Sequence, residues 1–222
     1  MNPPPRNPLP GPVPVDGIVL SAGRSSRMRA PKADLELDGR TFLQRCTDLL
    51  RQGGCRSVVV VVADEPAAAA VVAGRALAPG DTAPTPDLDD VVVAINPDPD
   101  SQQIHSLRIG LAALPGDSAA AAVLPVDAPS VQPATVAGLL RAFREADPGT
   151  VIVRPVHRGQ PGHPTIFARA VFAELAAGEL PHGAETVVER HADARLDVPV
   201  DDPGIAANVN TPADYRSLRE TP

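Results

Sequence analysis

Gly17-Ile18-Val19-Leu20-Ser21-Ala22-Gly23-Arg24-Ser25-Ser26-Arg27-Met28-Arg29-Ala30-Pro31-Lys32 decides how the rest of the chain is read. Four apolar residues form a short strand, and a polar, basic loop follows it directly. Outward from that loop, Thr41-Phe42-Leu43-Gln44-Arg45 opens a helical pattern. Phe42, Leu43, Cys46, Leu49 and Leu50 recur at helical spacing until Gly53-Gly54 ends it. Residues 57–63 are a run of valines, as in a strand covered on both faces. Residues 66–77 are Ala-rich and predict a helix with Pro66 in its first turn. Residues 79–90, rich in Pro and Asp, predict a solvated loop. Strands are predicted over 91–95 (buried), 119–124, 151–156, 164–167 and 194–198. Helices are predicted over 106–114, 136–146, 169–176, 184–191 and 212–218. Strands alternating with helices predict an α/β fold of three layers, a mostly parallel sheet with helices on both faces. In such sheets ligands bind at the carboxyl ends of the strands, so chemistry is sought just after each apolar run.

Composition narrows the function classes. The chain has 222 residues, enough for one α/β domain, and 43% of them are hydrophobic, enough for a real core. Aromatics are 2%, so that core must be aliphatic. The net charge of −7 argues against a general nucleic-acid or anionic-membrane partner. Residues 1–14 carry seven prolines and are expected to form a disordered or polyproline tail, leaving 15–222 as a single domain. No long apolar run or signal-peptide core is present, so a cytoplasmic location is expected. Cys46 and Cys55 are read as buried, reduced thiols.

The loop at 21–32 is neither a P-loop nor a dinucleotide fingerprint, because the required glycines are missing. Between Arg24 and Lys32 it holds four cations and no acid, in an acidic protein. Small residues at Ser21, Ala22 and Gly23 let backbone N–H groups approach a phosphate, and Arg and Lys add charge-assisted hydrogen bonds. The alternative is a solvated basic loop.

Leu20-Ser21-Ala22-Gly23, Arg27-Met28 and Lys32 resemble the opening signature of the MobA-like NTP transferase family. Further stations follow in order: Gly39-Arg40-Thr41; Asn96-Pro97 with Ser106-Leu107-Arg108-Ile109-Gly110-Leu111; Leu124-Pro125-Val126-Asp127-Ala128-Pro129; Arg158-Gly159-Gln160-Pro161-Gly162-His163-Pro164; and Asn208-Val209-Asn210-Thr211-Pro212-Ala213-Asp214-Tyr215. The resemblance runs from about Gly17 to Tyr215. It departs at Ser21 (usually Ala), at Arg29 (usually Gly) and at Glu185, where relatives often carry Arg.

The resemblance implies a Rossmann-like fold of the nucleotide-diphospho-sugar transferase type and the transfer of NMP from an NTP to a phosphorylated acceptor, with release of pyrophosphate. It implies that Leu20, Ser21, Ala22, Gly23, Arg24, Ser25, Arg27, Lys32 and Ser106 hold the nucleotide, with Arg27, Lys32 and Asp127 catalytic. It further implies that Arg158, Gly162 and His163 meet the acceptor and that Asp127 and Asn210 hold Mg²⁺, a hard ion that needs only one or two protein oxygens. Local readings stay beside these. Asp127 can cap a turn, Ser106 can be a helix N-cap, His163 can be structural, and Asn210 can belong to a turn before the last helix. The expected partners are CTP or GTP and an acceptor such as molybdopterin, with molybdenum cofactor cytidylyltransferase the first reading. The alternatives are a guanylyl- or sugar-phosphate nucleotidyltransferase and, from another class, a non-catalytic nucleotide-binding protein. A Rossmann oxidoreductase is disfavoured by the missing glycine fingerprint.

Overall fold

The computed structural model describes residues 13–23, 28, 31–64, 66, 90–98 and 101–220. Residues 1–12 of the expected tail at 1–14, residues 67–77 of the expected helix at 66–77, most of the loop at 79–90, and Arg24, Ser25, Arg27 and Arg29 lie outside them.

Strand β1 (Val15–Leu20) pairs in parallel with β4 (Val58–Val62) on one side and β6 (Ala120–Pro125) on the other, so all six of its residues are buried. The full order is β10 (Arg195–Pro199), β7 (Ile152–His157), β9 (Thr165–Ala168), β6, β1, β4 and β5 (Val91–Ile95), with the short β8 (Gln160–Pro161) added to β7. Among the described residues, only β8 and β9 run antiparallel to their neighbours, and the other pairs of this sheet are parallel. The expected architecture, a mostly parallel sheet between helices, is the one observed.

The valine run shows why both faces fill. Val58, Val60 and Val62 join the core under α1 (Phe42–Gln52) and α3 (Pro133–Glu145), with Phe42, Leu50, Leu139 and Leu140. Val59 and Val61 point the other way. They pack with Ile104 and Leu107 of α2 (Gln103–Ala112), Leu175 of α4 (Phe172–Ala176) and Val187 of α5 (Ala184–Arg190). Side chains alternate across a strand, so an uninterrupted apolar strand needs apolar cover on both faces.

Helix starts follow local chemistry. Thr41 is the N-cap of α1, within a capping box: its hydroxyl accepts from the Gln44 N–H, and the Gln44 side-chain oxygen accepts from the Thr41 N–H. Helix α3 begins at Pro133, three residues before the expected start. Asp202 supplies its cap from afar, accepting from the Gln132 N–H at 2.9 Å and the Thr135 hydroxyl at 2.6 Å.

Two expectations need correction, and one feature was not foreseen. Strand β5 is an edge strand, not a buried one: among the described residues it pairs only with β4, and Val92 and Ile95 are 42% and 37% exposed. An apolar run alone does not distinguish an edge from a centre. Ser106 lies inside α2 rather than at its start, because the helix already begins at Gln103. A hairpin of β2 (Glu36–Leu37) and β3 (Arg40–Thr41) precedes α1 and was not expected. Its loop, Asp38-Gly39, has positive φ at both positions, as a type I′ turn requires. The Asp-Gly signal was present, but two-residue strands leave no periodicity to read.

Opposite the carboxyl ends of the strands, Asp16 is fully buried and accepts from Arg56 (Nε 3.0 Å, Nη2 2.8 Å), from Ser57 and from Ser118. Burial pushes its carboxyl up, but the Arg56, Ser118 and Ser57 hydrogen bonds outweigh that, and the result lies below the usual carboxylate range. A depressed folded pKa gives stability that is complete above the unfolded value of about 3.9 and is lost as pH falls through the folded one. Asp16→Asn is therefore expected to lower stability by about 1–2 kcal/mol at pH 7 and to flatten the loss of stability below about pH 4. Urea titrations across pH 2.5–7 measure both; an unchanged acid limb removes Asp16 as its source.

Burial also raises both thiols, Cys55 to about 12 and Cys46 further, so neither is a nucleophile at neutral pH. Among the described residues, no helix is long and apolar enough to cross a membrane.

Candidate active site

Chain segments meet where β1, β4 and β6 end. The Ser21 N–H donates to the Val61 carbonyl, and the Val126 N–H to the Leu20 carbonyl, which brings the loops after β1 and β6 side by side. A 3-10 turn, Lys32–Asp34, then carries Lys32 back over them. The end of the chain arrives by a third route. The Val209 N–H donates to the Asp127 carbonyl at 2.8 Å, which sets Asn210 beside Asp127 just ahead of α6 (Pro212–Glu220).

The result is one cleft of about 260 Å³. Leu20, Ser21, Ala22, Gly23, Lys32, Ser106, Asp127 and Asn210 line it together. Lys32 Nζ lies 2.8 Å from Asp127 Oδ2 and 2.8 Å from Asn210 Oδ1, joining residues 95 and 178 positions apart in the chain. Lysine and aspartate are mostly enclosed, with side chains 15% and 21% exposed. Asp214 holds Asn210 from behind: its carboxylate accepts from the Asn210 N–H (2.9 Å) and the Thr211 N–H (2.7 Å). Those backbone donors, with the Thr211 side chain, hold the Asp214 carboxyl below its usual range.

Two polar features suit a ligand. The Ser21 hydroxyl oxygen is buried in the cleft wall with no partner among the described residues. Asn96, buried after β5, donates its amide to Ser101 (2.8 Å) and Ser106 (2.9 Å), which leaves the Ser106 hydroxyl proton free to turn toward the cleft. Ser101 and Gln103 also line this cleft and escaped the sequence reading, since neither belongs to a periodic pattern or a charged run.

A second cleft of about 430 Å³ shares Leu20, Gln103 and Pro125 with the first. Its walls are largely apolar, including Ile104, Leu107, Phe167 and Val188, and its polar residues include His163, His182 and Glu185. Burial pushes the His163 ring down against the pull of Asp127, so the imidazole is neutral at physiological pH; its Nδ1 is buried without a partner among the described residues. Arg154 lies 3.6 Å from Glu185 and 2.7 Å from Asp197.

The predicted acceptor residues therefore separate. His163 lines the second cleft. Gly162 lies against the backbone of Ile205, whose carbonyl oxygen is 2.2 Å from where a Cβ would sit. Arg158 occupies the exposed tip between β7 and β8, with φ 49°, and lines neither cleft.

A divalent ion can be tested against the donors present. Among the described residues, no group of three or more His, Cys, Asp and Glu could hold a metal. Asp127 and Asn210 nevertheless aim two hard oxygens at a single cationic atom, the lysine nitrogen. One carboxylate and one amide oxygen suit an ion that takes its remaining ligands from water and phosphate.

Comparison with known proteins agrees with this architecture. Over 47 residues the chain is 51% identical to the molybdenum cofactor guanylyltransferase of Xanthomonas euvesicatoria pv. vesicatoria (strain 85-10), covering 21% of this chain and 25% of that protein. Over 136 residues it is 32% identical to the nicotine blue oxidoreductase of Paenarthrobacter nicotinovorans, covering 59% and 57%. The chain thus spans a quarter and a little over half of the lengths of these curated relatives. The crystal structure of Rv0371c from Mycobacterium tuberculosis H37Rv superposes with a TM-score of 0.76 at 28% identity, covering 95% of this chain and 100% of that one. The same protein has been solved in complex with manganese (TM-score 0.70, 28% identity, coverage 94% and 100%). With a family model matching residues 17–195, the chain belongs to the MobA-like NTP transferase domain family.

Proposed function

We propose that this chain moves a nucleoside monophosphate from an NTP to a phosphorylated acceptor and releases pyrophosphate, acting as one domain over residues 15–222 on small-molecule substrates. The observation that carries the reading is the meeting of Lys32, Asp127 and Asn210 in one cleft beside the Ser21-Ala22-Gly23 turn.

The acceptor phosphate is already anionic at neutral pH, so no general base is needed. Its oxygen attacks the α-phosphorus, a new P–O bond forms, and the bond to the bridging α–β oxygen breaks with its electron pair going to pyrophosphate. The task is to bring two polyanions together and to stabilise charge on the leaving group, which is work for positioning and electrostatics. Backbone N–H groups at Ala22 and Gly23 and the Ser21 hydroxyl meet the phosphates. Lys32 neutralises the triphosphate, with Arg27 assigned beside it on sequence alone. Mg²⁺, where bound through Asp127 and Asn210, supplies Lewis-acid polarisation of the α-phosphate. The acceptor body takes the second cleft, against neutral His163.

Gly162-His163-Pro164 supports CTP as donor and molybdopterin as acceptor. The 47-residue likeness to a guanylyltransferase supports GTP instead. Incubating the protein with Mg²⁺, molybdopterin and each of CTP, GTP, UTP and ATP, scored by pyrophosphate release, should give turnover with CTP. Preference for GTP would move the assignment to guanylyl transfer. No pyrophosphate from any NTP would remove the transferase reading. In a separate assay with NAD(P)H and a quinoid dye added, oxidation of the NAD(P)H coupled to reduction of the dye would favour an oxidoreductase, the class named for the 32% identical relative.

A further inference from the structure

Lys32 Nζ sits 2.8 Å from both Asp127 Oδ2 and Asn210 Oδ1. In the proposed transferase, the same two oxygens hold the divalent ion, and the role assigned to Lys32 here rests on that reading. An ammonium and a divalent ion cannot share them, because the ion would fill the ammonium's volume and repel its charge. We propose that Lys32 is the placeholder cation of the metal position, and that the triphosphate draws it away, so that the metal enters with the nucleotide rather than before it.

The side chain is suited to such an exchange. Lysine is a compact, strongly hydrated point charge on a flexible four-carbon stem, with three donors that rotate freely. It rises from the Lys32–Asp34 turn at the cleft wall, so the ammonium can swing from one anion to another without moving the backbone. The oxygens it leaves stay in place. The Val209 N–H anchors the Asp127 main chain, and Asp214 grips the Asn210 N–H. While bound, the ammonium also keeps the Asn210 amide turned with its oxygen inward, the orientation a metal requires.

Linkage then has two consequences. Metal affinity without nucleotide is reduced by the fraction of molecules in which the lysine holds the oxygens. Nucleotide and metal each strengthen the binding of the other. The exchange also explains how one lysine can serve both an ion pair and a triphosphate.

Binding of Mn²⁺, followed by the electron paramagnetic resonance signal of the free ion, tests this with and without α,β-methylene-CTP or α,β-methylene-GTP. Wild-type protein should bind Mn²⁺ weakly alone and more tightly with an analogue. Lys32→Gln, and Lys32→Met beside it, should bind Mn²⁺ alone about tenfold more tightly than wild type, as expected if lysine occupies the oxygens about 90% of the time, and should gain less from the analogue. Asp127→Asn should lose Mn²⁺ in every condition. If both Lys32 variants bind Mn²⁺ no more tightly than wild type while Asp127→Asn loses it, the placeholder role is overturned and the metal assignment stands. If Asp127→Asn keeps wild-type Mn²⁺ binding, the metal assignment falls and takes the inference with it.

Discussion

Asp127→Ala is expected to slow pyrophosphate release by about 10³-fold, near 4 kcal/mol of barrier, while the protein stays folded. The carboxylate stands where segments from the beginning, middle and end of the chain converge. In the proposed chemistry it fixes the cation that faces the transferred phosphate, an interaction that matters most as charge develops. Removal leaves Asn210 as the only protein oxygen of the pair. The segment is tied by main-chain bonds, Val209 N–H to Asp127 carbonyl and Val126 N–H to Leu20 carbonyl, that alanine preserves, and Lys32 keeps its bond to Asn210 Oδ1. Loss of the mostly enclosed ion pair should cost about 1–3 kcal/mol, too little to unfold the domain. Steady-state kinetics with a thermal melt on the same sample separates the two effects. Turnover within tenfold of wild type would place the chemistry somewhere other than this cleft.

Gly204→Ala and Gly162→Ala are expected to cost about 3 kcal/mol each, the upper end of what overpacking does. A Cβ on Gly204 would lie 2.3 Å from the Ser130 carbonyl oxygen, and one on Gly162 would lie 2.2 Å from that of Ile205. Backbone atoms cannot rotate out of the way, so the segments themselves would have to part. Those segments lead into the proposed site: residues 202–210 lead to Asn210, and 162–163 lead to His163. Asp202 clamps the first of them by accepting from the Gly204 N–H while it caps α3. The melting temperature should fall by about 6–12 °C in a protein of this size, and metal binding through Asn210 should weaken with it. Gly138→Ala is the control. It lies inside α3 with nothing within 4 Å of an added Cβ, so it should add about 0.5–1 kcal/mol. A Gly204→Ala protein that melts like wild type would mean that residues 202–210 do not rest on Ser130 as described.

The elements were legible where the pattern was long. The valines at 58–62 and the Phe42, Cys46 and Leu50 spacing allow one reading each, and both stand in the core. Legibility failed where a feature depends on a distant partner. The early start of α3 depends on Asp202, about seventy residues downstream. The edge position of β5 depends on which strand lies beside it. Glu185 could be seen as an unusual acid, but its pairing with Arg154 required the fold. Arg158 belongs to the matching segment, and the fold sets it on an exposed turn that lines neither described cleft.

The sequence by itself determined the class of fold and the basic loop after the first strand, and it named the candidates for binding phosphate and a hard cation. Local periodicity and side-chain chemistry are carried by the residues themselves. Tertiary structure alone decided that Lys32 spans Asp127 and Asn210, that the second cleft opens beside the first, and that Gly162 and Gly204 serve as points of close backbone approach. Such distances arise only when parallel strands from separate parts of the chain are laid side by side. Their order in the sheet is set by packing both faces at once, which no stretch of neighbouring residues encodes.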